Sequence, residues 1–138
     1  MNRRFLLRLV APLAVMGVIF FFSAQPAAAH HAWWVFLIRK IGHVFGYALL
    51  TTAWWWALRG VVRRPLVWAI GISLAYACTD EYHQTFVRGR TGTPRDVGID
   101  AIGIALAALL VHTRRLPLLR GGPRRENGPS RSSLARSP

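Results

Sequence analysis

Residues 76–103 read YACTDEYHQTFVRGRTGTPRDVGIDAIG and hold four of the chain's five acidic groups, Asp80, Glu81, Asp96 and Asp100, with His83, Gln84, Arg88, Arg90 and Arg95 among them. A histidine beside carboxylates offers a general acid or base and a partner to orient its imidazole. Nearby arginines offer a planar fork that binds phosphate or carboxylate through two parallel hydrogen bonds. The stretch is flanked on both sides by apolar runs long enough to enter a bilayer. Ionisable groups at the edge of such runs are costly to desolvate, so they face a bundle interior or a water-filled cavity and pair with one another. This makes the segment the first candidate for a functional site.

Helical spacing adds residues from an earlier part of the chain. Lys40, His43 and Tyr47 fall at i, i+3 and i+7 and share one helical face; Tyr76, Asp80 and His83, with Gln84 adjacent, do the same further on, as do Asp96, Asp100 and Gly103. The three stripes end at one membrane surface, so the expected ligand-binding set is Lys40, His43, Tyr47, Asp80, Glu81, His83, Gln84, Arg90, Asp96 and Asp100. Were the site catalytic, His43 or His83 would be the acid or base and Asp80 or Glu81 its orienting carboxylate. The plainer alternative is a network that satisfies itself, with Arg90 paired to Asp80 or Asp96, Lys40 to Glu81, and His43 and Tyr47 bonded across helices. Asp80, Glu81, His83 and His43 lack any specific metal-ligand spacing, and the adjacent His30 and His31 would point about 100° apart on a helix. No metal and no cofactor is therefore expected.

The elements that must carry these stripes are read from the apolar runs. Residues 5–24 contain one charge, Arg8, and are long enough to span a hydrocarbon core. The same stretch has signal-peptide features, with Asn2-Arg3-Arg4 ahead of it and Ala27-Ala28-Ala29 behind; a run this long, ahead of further apolar segments, favours a retained helix. A short interfacial segment, His30-His31-Ala32-Trp33-Trp34, precedes a second span at 41–58 whose Trp54-Trp55-Trp56 mark the opposite interface. Pro65 suits the first turn of a third helix at 66–84. A loop rich in Gly, Thr and Arg leads to a fourth at 96–113. Gly42, Gly46 and Gly103 are expected to let these helices approach closely, and Cys78 to pack as a small hydrophobe. The fold class is thus all-α, an integral membrane four-helix bundle over residues 1–113 followed by a disordered basic tail, 114–138.

Composition agrees. The 138 residues are 53% hydrophobic with six Trp, and a single cysteine excludes an intrachain disulfide. The +13 formal charge does not indicate nucleic acid, because the basic residues lie between apolar runs and in the tail rather than interleaved with aromatics on one polar face. Three stand at the N-terminus (Arg3, Arg4, Arg8), three in the turn after the second span (Arg59, Arg63, Arg64) and seven after Thr113, against Arg39, Lys40, Arg88, Arg90 and Arg95 on the other side. The positive-inside rule then puts both termini in the cytoplasm and the acidic segment outside.

Lys40-x-x-His43-x-x-x-Tyr47, Asp80-Glu81-x-His83-Gln84, and Gly89-Arg90 followed by Asp96 and Gly103, with Ser23-Ala24-Gln25 after the first helix, together resemble the VanZ-like membrane proteins, a family associated with teicoplanin resistance. Arg88 stands where that family often has Pro, Asp100 where it usually has Asn, and Ala107 where a second Gly is common. The resemblance implies a multi-pass protein of the bacterial cytoplasmic membrane and brings no assigned reaction with it. The function expected is binding or modulation of a lipid-linked envelope precursor or an amphiphilic antibiotic, with an effect on glycopeptide susceptibility. A membrane-embedded enzyme acting on a lipid headgroup is the alternative, and membrane lipids are the expected partners in either case.

Overall fold

A computed structural model describes residues 3–27 and 33–120. Among them are four helices: α1 (Arg3–Ser23), α2 (Trp33–Leu58), α3 (Pro65–Gln84) and α4 (Pro94–Arg120). Each boundary has a local cause. The end of α1 is closed by Ala24 N–H donating to Phe20 O at 2.9 Å, and Pro26 cannot extend the helix. After α2 the chain turns through Gly60 at φ 77°, a left-handed conformation that favours glycine. Pro65 occupies the first turn of α3, and Pro94 that of α4, where an absent N–H leaves nothing unsatisfied.

Two expected boundaries move. Trp33 and Trp34 belong to the first turn of α2, so the interfacial segment and the second span are one continuous helix with Arg39 and Lys40 inside it. His30 and His31 lie outside the described residues. At the other end α4 runs on to Arg120, past Thr113, where the tail was expected to begin; residues 121–138 lie outside the described part.

α2 packs against each of the other three helices, and α3 against α4. The interior combines Tyr47, Leu50, Ala77 and Ile104 with buried polar groups, Ser23, Thr51, Ser73, Asp80, Glu81, Gln84 and Asp100. Large apolar side chains such as Phe21, Phe22, Phe45, Val67, Trp68 and Leu109 point outward. A soluble domain would hide such surface from water; a lipid solvent accepts it and drives polar groups inward. Cys78 also faces outward instead of packing in the core. Of the four spans expected, α1 and Pro94–Arg114 of α4, 21 residues each, are the two described helices long and apolar enough to cross a bilayer by themselves. The Arg39 to Tyr47 stripe in α2 and the Asp80 to Gln84 stripe in α3 dilute the apolar content of helices that are otherwise long enough, at 26 and 20 residues.

Close approach between helices is set by glycine at specific places. A Cβ at Gly103 would collide with the Val44 carbonyl oxygen of α2, and one at Gly92 with the Glu81 carbonyl oxygen of α3. Gly46 sits against the Ile19 side chain, whereas Gly42 has open space beside it and takes no part.

Candidate functional site

The C-terminal ends of α1 and α3, the N-terminal half of α2 and the start of α4 meet at one end of the bundle. From α2 come Arg39, Lys40, His43 and Tyr47, from α3 Asp80, Glu81 and Gln84, from α4 Asp96 and Asp100, and from the α3–α4 loop Arg90 and Thr91. A cavity of about 170 Å³ opens here, and its lining includes Arg39, Lys40, His43, Glu81, Gln84, Arg90, Thr91 and Asp96.

The polar contacts form a connected set. Lys40 pairs with Asp96 in the first turn of α4, where the helix dipole also favours a carboxylate. His43 Nδ1 lies 3.0 Å from Asp100 Oδ1. Gln84 Nε2 donates to Asp80 Oδ2 at 3.2 Å and to Glu81 Oε1 at 3.1 Å, while its Oε1 accepts Arg90 Nη1 at 3.1 Å. Glu81 Oε2 accepts the Thr93 backbone N–H at 3.2 Å. Ser23 Oγ donates to Asp80 Oδ2 at 2.8 Å, tying α1 to α3. Arg90 reaches further to the end of α1 and the segment after it, with Nη2 on Phe22 O at 2.8 Å and Nε on Gln25 O at 2.9 Å. Partial burial lowers the Arg90 pKa, and the like charge of Arg39 lowers it further.

This arrangement corrects the expected pairings. Lys40 takes Asp96, and Arg90 takes carbonyl oxygens and Gln84, because the loop enters over the end of α1. Asp100, not Asp80 or Glu81, orients His43. Tyr47 is fully buried with its hydroxyl lacking a hydrogen-bond partner among the described residues, so the bond expected of it across helices is not made there. His83 is turned away from the cavity and packs on Phe20 of α1, ring centroids 4.7 Å apart. Of the ten residues expected to bind a ligand, Lys40, His43, Glu81, Gln84, Arg90 and Asp96 line the cavity. Tyr47, Asp80 and Asp100 are buried beside it.

Sequence reasoning missed Arg39, Ser23 and Thr91. Arg39 carried a readable signal, since it stands four residues before His43 and therefore on the same face of α2. Ser23 was legible only as part of the Ser23-Ala24-Gln25 motif, because its bond to Asp80 depends on where α1 docks. Among the described residues, the group with donor atoms close enough to share a metal ion is also different from the one weighed in sequence: it is His43, Glu81 and Asp100, within 4.8 Å of one another.

The VanZ/LLP1 family model matches residues 8–116, a stretch that contains all four helices' packed portions and the whole cavity. A membrane protein of Bacillus subtilis (strain 168), YwnJ, itself uncharacterised, is 44% identical over 69 residues, which is 50% of this chain and 45% of that protein. The chain thus matches less than half the length of this relative. No solved structure matches.

Proposed function

The chain belongs to the VanZ/LLP1 family, and on that footing we propose that this membrane protein binds the anionic headgroup of a lipid-linked or amphiphilic molecule of the bacterial cell envelope. The observation that carries this reading is a pair of guanidinium groups, Arg39 of α2 and Arg90 of the loop, lining one cavity and acting on each other as like charges. An anion between them relieves that repulsion. Three of the five Arg90 N–H groups hold Gln25, Phe22 and Gln84, which leaves one on each Nη for a ligand on a guanidinium already fixed in place. Acyl chains would lie along the apolar exterior, and Glu81 and Asp96 would accept hydrogen bonds from hydroxyl or amino groups of the headgroup.

In this reading all four helices cross the membrane, both termini are cytoplasmic and the cavity opens outward. Arg8 and Arg59 support that orientation by meeting at the opposite end, where Arg8 Nη1 donates to Arg59 O at 3.2 Å and the two guanidiniums lie over Trp56 and Trp55. Holding an envelope precursor, or excluding an amphiphilic glycopeptide, would alter antibiotic susceptibility. The His43–Asp100 contact favours a second reading, headgroup chemistry with His43 as acid or base, since its imidazole lines the cavity and a buried carboxylate orients it.

Native mass spectrometry of the detergent-extracted protein tests both. Binding predicts a lipid mass on the wild type that is lost in Arg39→Gln and in Arg90→Gln. Chemistry predicts a mass that accumulates in His43→Ala. An identical lipid profile in all four proteins rejects the site.

A further inference from the structure

We infer that His43, Glu81 and Asp100 form a site for one first-row divalent cation, of the Zn²⁺ or Mn²⁺ class, at the floor of the cavity. The inference does not depend on the lipid reading. One imidazole nitrogen and two carboxylate oxygens, supplied by α2, α3 and α4, have donor atoms within 4.8 Å of one another. Ligands about 2.1 Å from a metal stand at most about 4.2 Å apart, so only a slight closure of the three helices separates this arrangement from a bonded one. The mixed donor set selects among ions: imidazole suits zinc, the two carboxylates suit zinc and manganese, and calcium and magnesium take oxygen ligands.

A second observation points to the same ion. Asp100 is fully buried, and although its Oδ1 contacts His43, its Oδ2 has no hydrogen-bond partner among the described residues. Asp80, 3% exposed, likewise leaves Oδ1 without a donor, and the buried Tyr47 hydroxyl has none either. The Tyr47 ring lies next to His43 on α2, ring centroids 6.3 Å apart. These buried oxygens belong to α2, α3 and α4, the three helices that supply His43, Glu81 and Asp100. Carboxylates held together out of water repel each other and forfeit their hydration, a cost met by a paired cation or a bound metal. Lys40 is engaged by Asp96, and Arg90 by Gln84 and the carbonyl oxygens of Phe22 and Gln25. A divalent ion would give Asp100 Oδ2 its missing partner and neutralise the cluster. His43 and Glu81 line the cavity, so the ion has a route in and water a route to its open positions.

The test uses full-length protein in detergent, stripped with EDTA and titrated with ZnCl₂ and MnCl₂ by calorimetry and by melting temperature, with MgCl₂ and CaCl₂ as comparison ions. Expected are one bound ion per chain, a raised melting temperature, and at least tenfold weaker binding in Asp100→Asn and His43→Gln. Glu81→Gln is the second carboxylate variant, should Asp100→Asn not retain its helical circular dichroism. The variant His30→Ala with His31→Ala removes the adjacent histidine pair and should bind as the wild type does. Absence of Zn²⁺ and Mn²⁺ binding to folded protein overturns the proposal. So does binding left intact by Asp100→Asn, Glu81→Gln and His43→Gln, or equal affinity for Mg²⁺ and Ca²⁺.

Discussion

Gly103 of α4 lies directly against the backbone carbonyl of Val44 on α2, one helical turn below the contact between Asp100 and His43. The glycine lets two backbones approach, and that approach brings an imidazole on one helix to a carboxylate on the other. Gly103→Ala should therefore lower the melting temperature in detergent, at an overpacking cost of about 1–3 kcal/mol. Gly42→Ala on the open face of α2 should be neutral or slightly stabilising, since helix propensity gains up to about 1 kcal/mol and nothing stands within 4 Å. Equal effects of the two substitutions would contradict this account of α2–α4 packing.

Lys40 and Asp96 should behave as a coupled pair. Loss of either through Lys40→Met or Asp96→Asn should cost about 1.5–3 kcal/mol, the range for a hydrogen bond to a charged group, and the double variant should cost less than the sum. Arg90→Ala combined with Asp96→Ala should instead show weaker coupling than Lys40 with Asp96, because Arg90 bonds Gln84 and the carbonyl oxygens of Phe22 and Gln25. Thermal denaturation of the two double-mutant cycles decides between these pairings.

Arg90 fastens the α3–α4 loop to the end of α1 through Phe22 O and Gln25 O. Lysine carries the charge without the planar fork, so Arg90→Lys should not restore what Arg90→Ala removes. Hydrogen exchange should quicken in both variants at the Ala27 amide, which donates to Arg88 O at 3.2 Å across the same junction. Unchanged exchange at Ala27 would separate Arg90 from the docking of α1.

The orientation can be read in intact cells. With Cys78 replaced by Ser, a cysteine at Thr91 beside the cavity should react with a membrane-impermeant maleimide, while one at Val61, in the exposed turn after α2, should react only after lysis. The reverse pattern would invert the protein in the membrane.

The sequence by itself determined the helices and the faces that carry polar groups. Long apolar runs, Pro65 at a helix start and the basic turn after α2 act locally, through backbone geometry and transfer free energy, and need no knowledge of neighbours. The motifs around Lys40, Asp80 and Gly103 were likewise enough to identify the family. The tertiary structure decided which polar group meets which, because a helical stripe is wider than a hydrogen bond. At about 100° per residue, Gln84 lies about 40° to one side of Asp80 and His83 about 60° to the other. That difference, invisible in an i, i+3, i+4 pattern, delivers Gln84 to Arg90 and His83 to Phe20. The pairing of Lys40 with Asp96 and of His43 with Asp100 depends in turn on how far α4 slides along α2. That stagger is set by a backbone contact at Gly103, made by residues 59 positions apart, and the spacing within either helix holds no record of it.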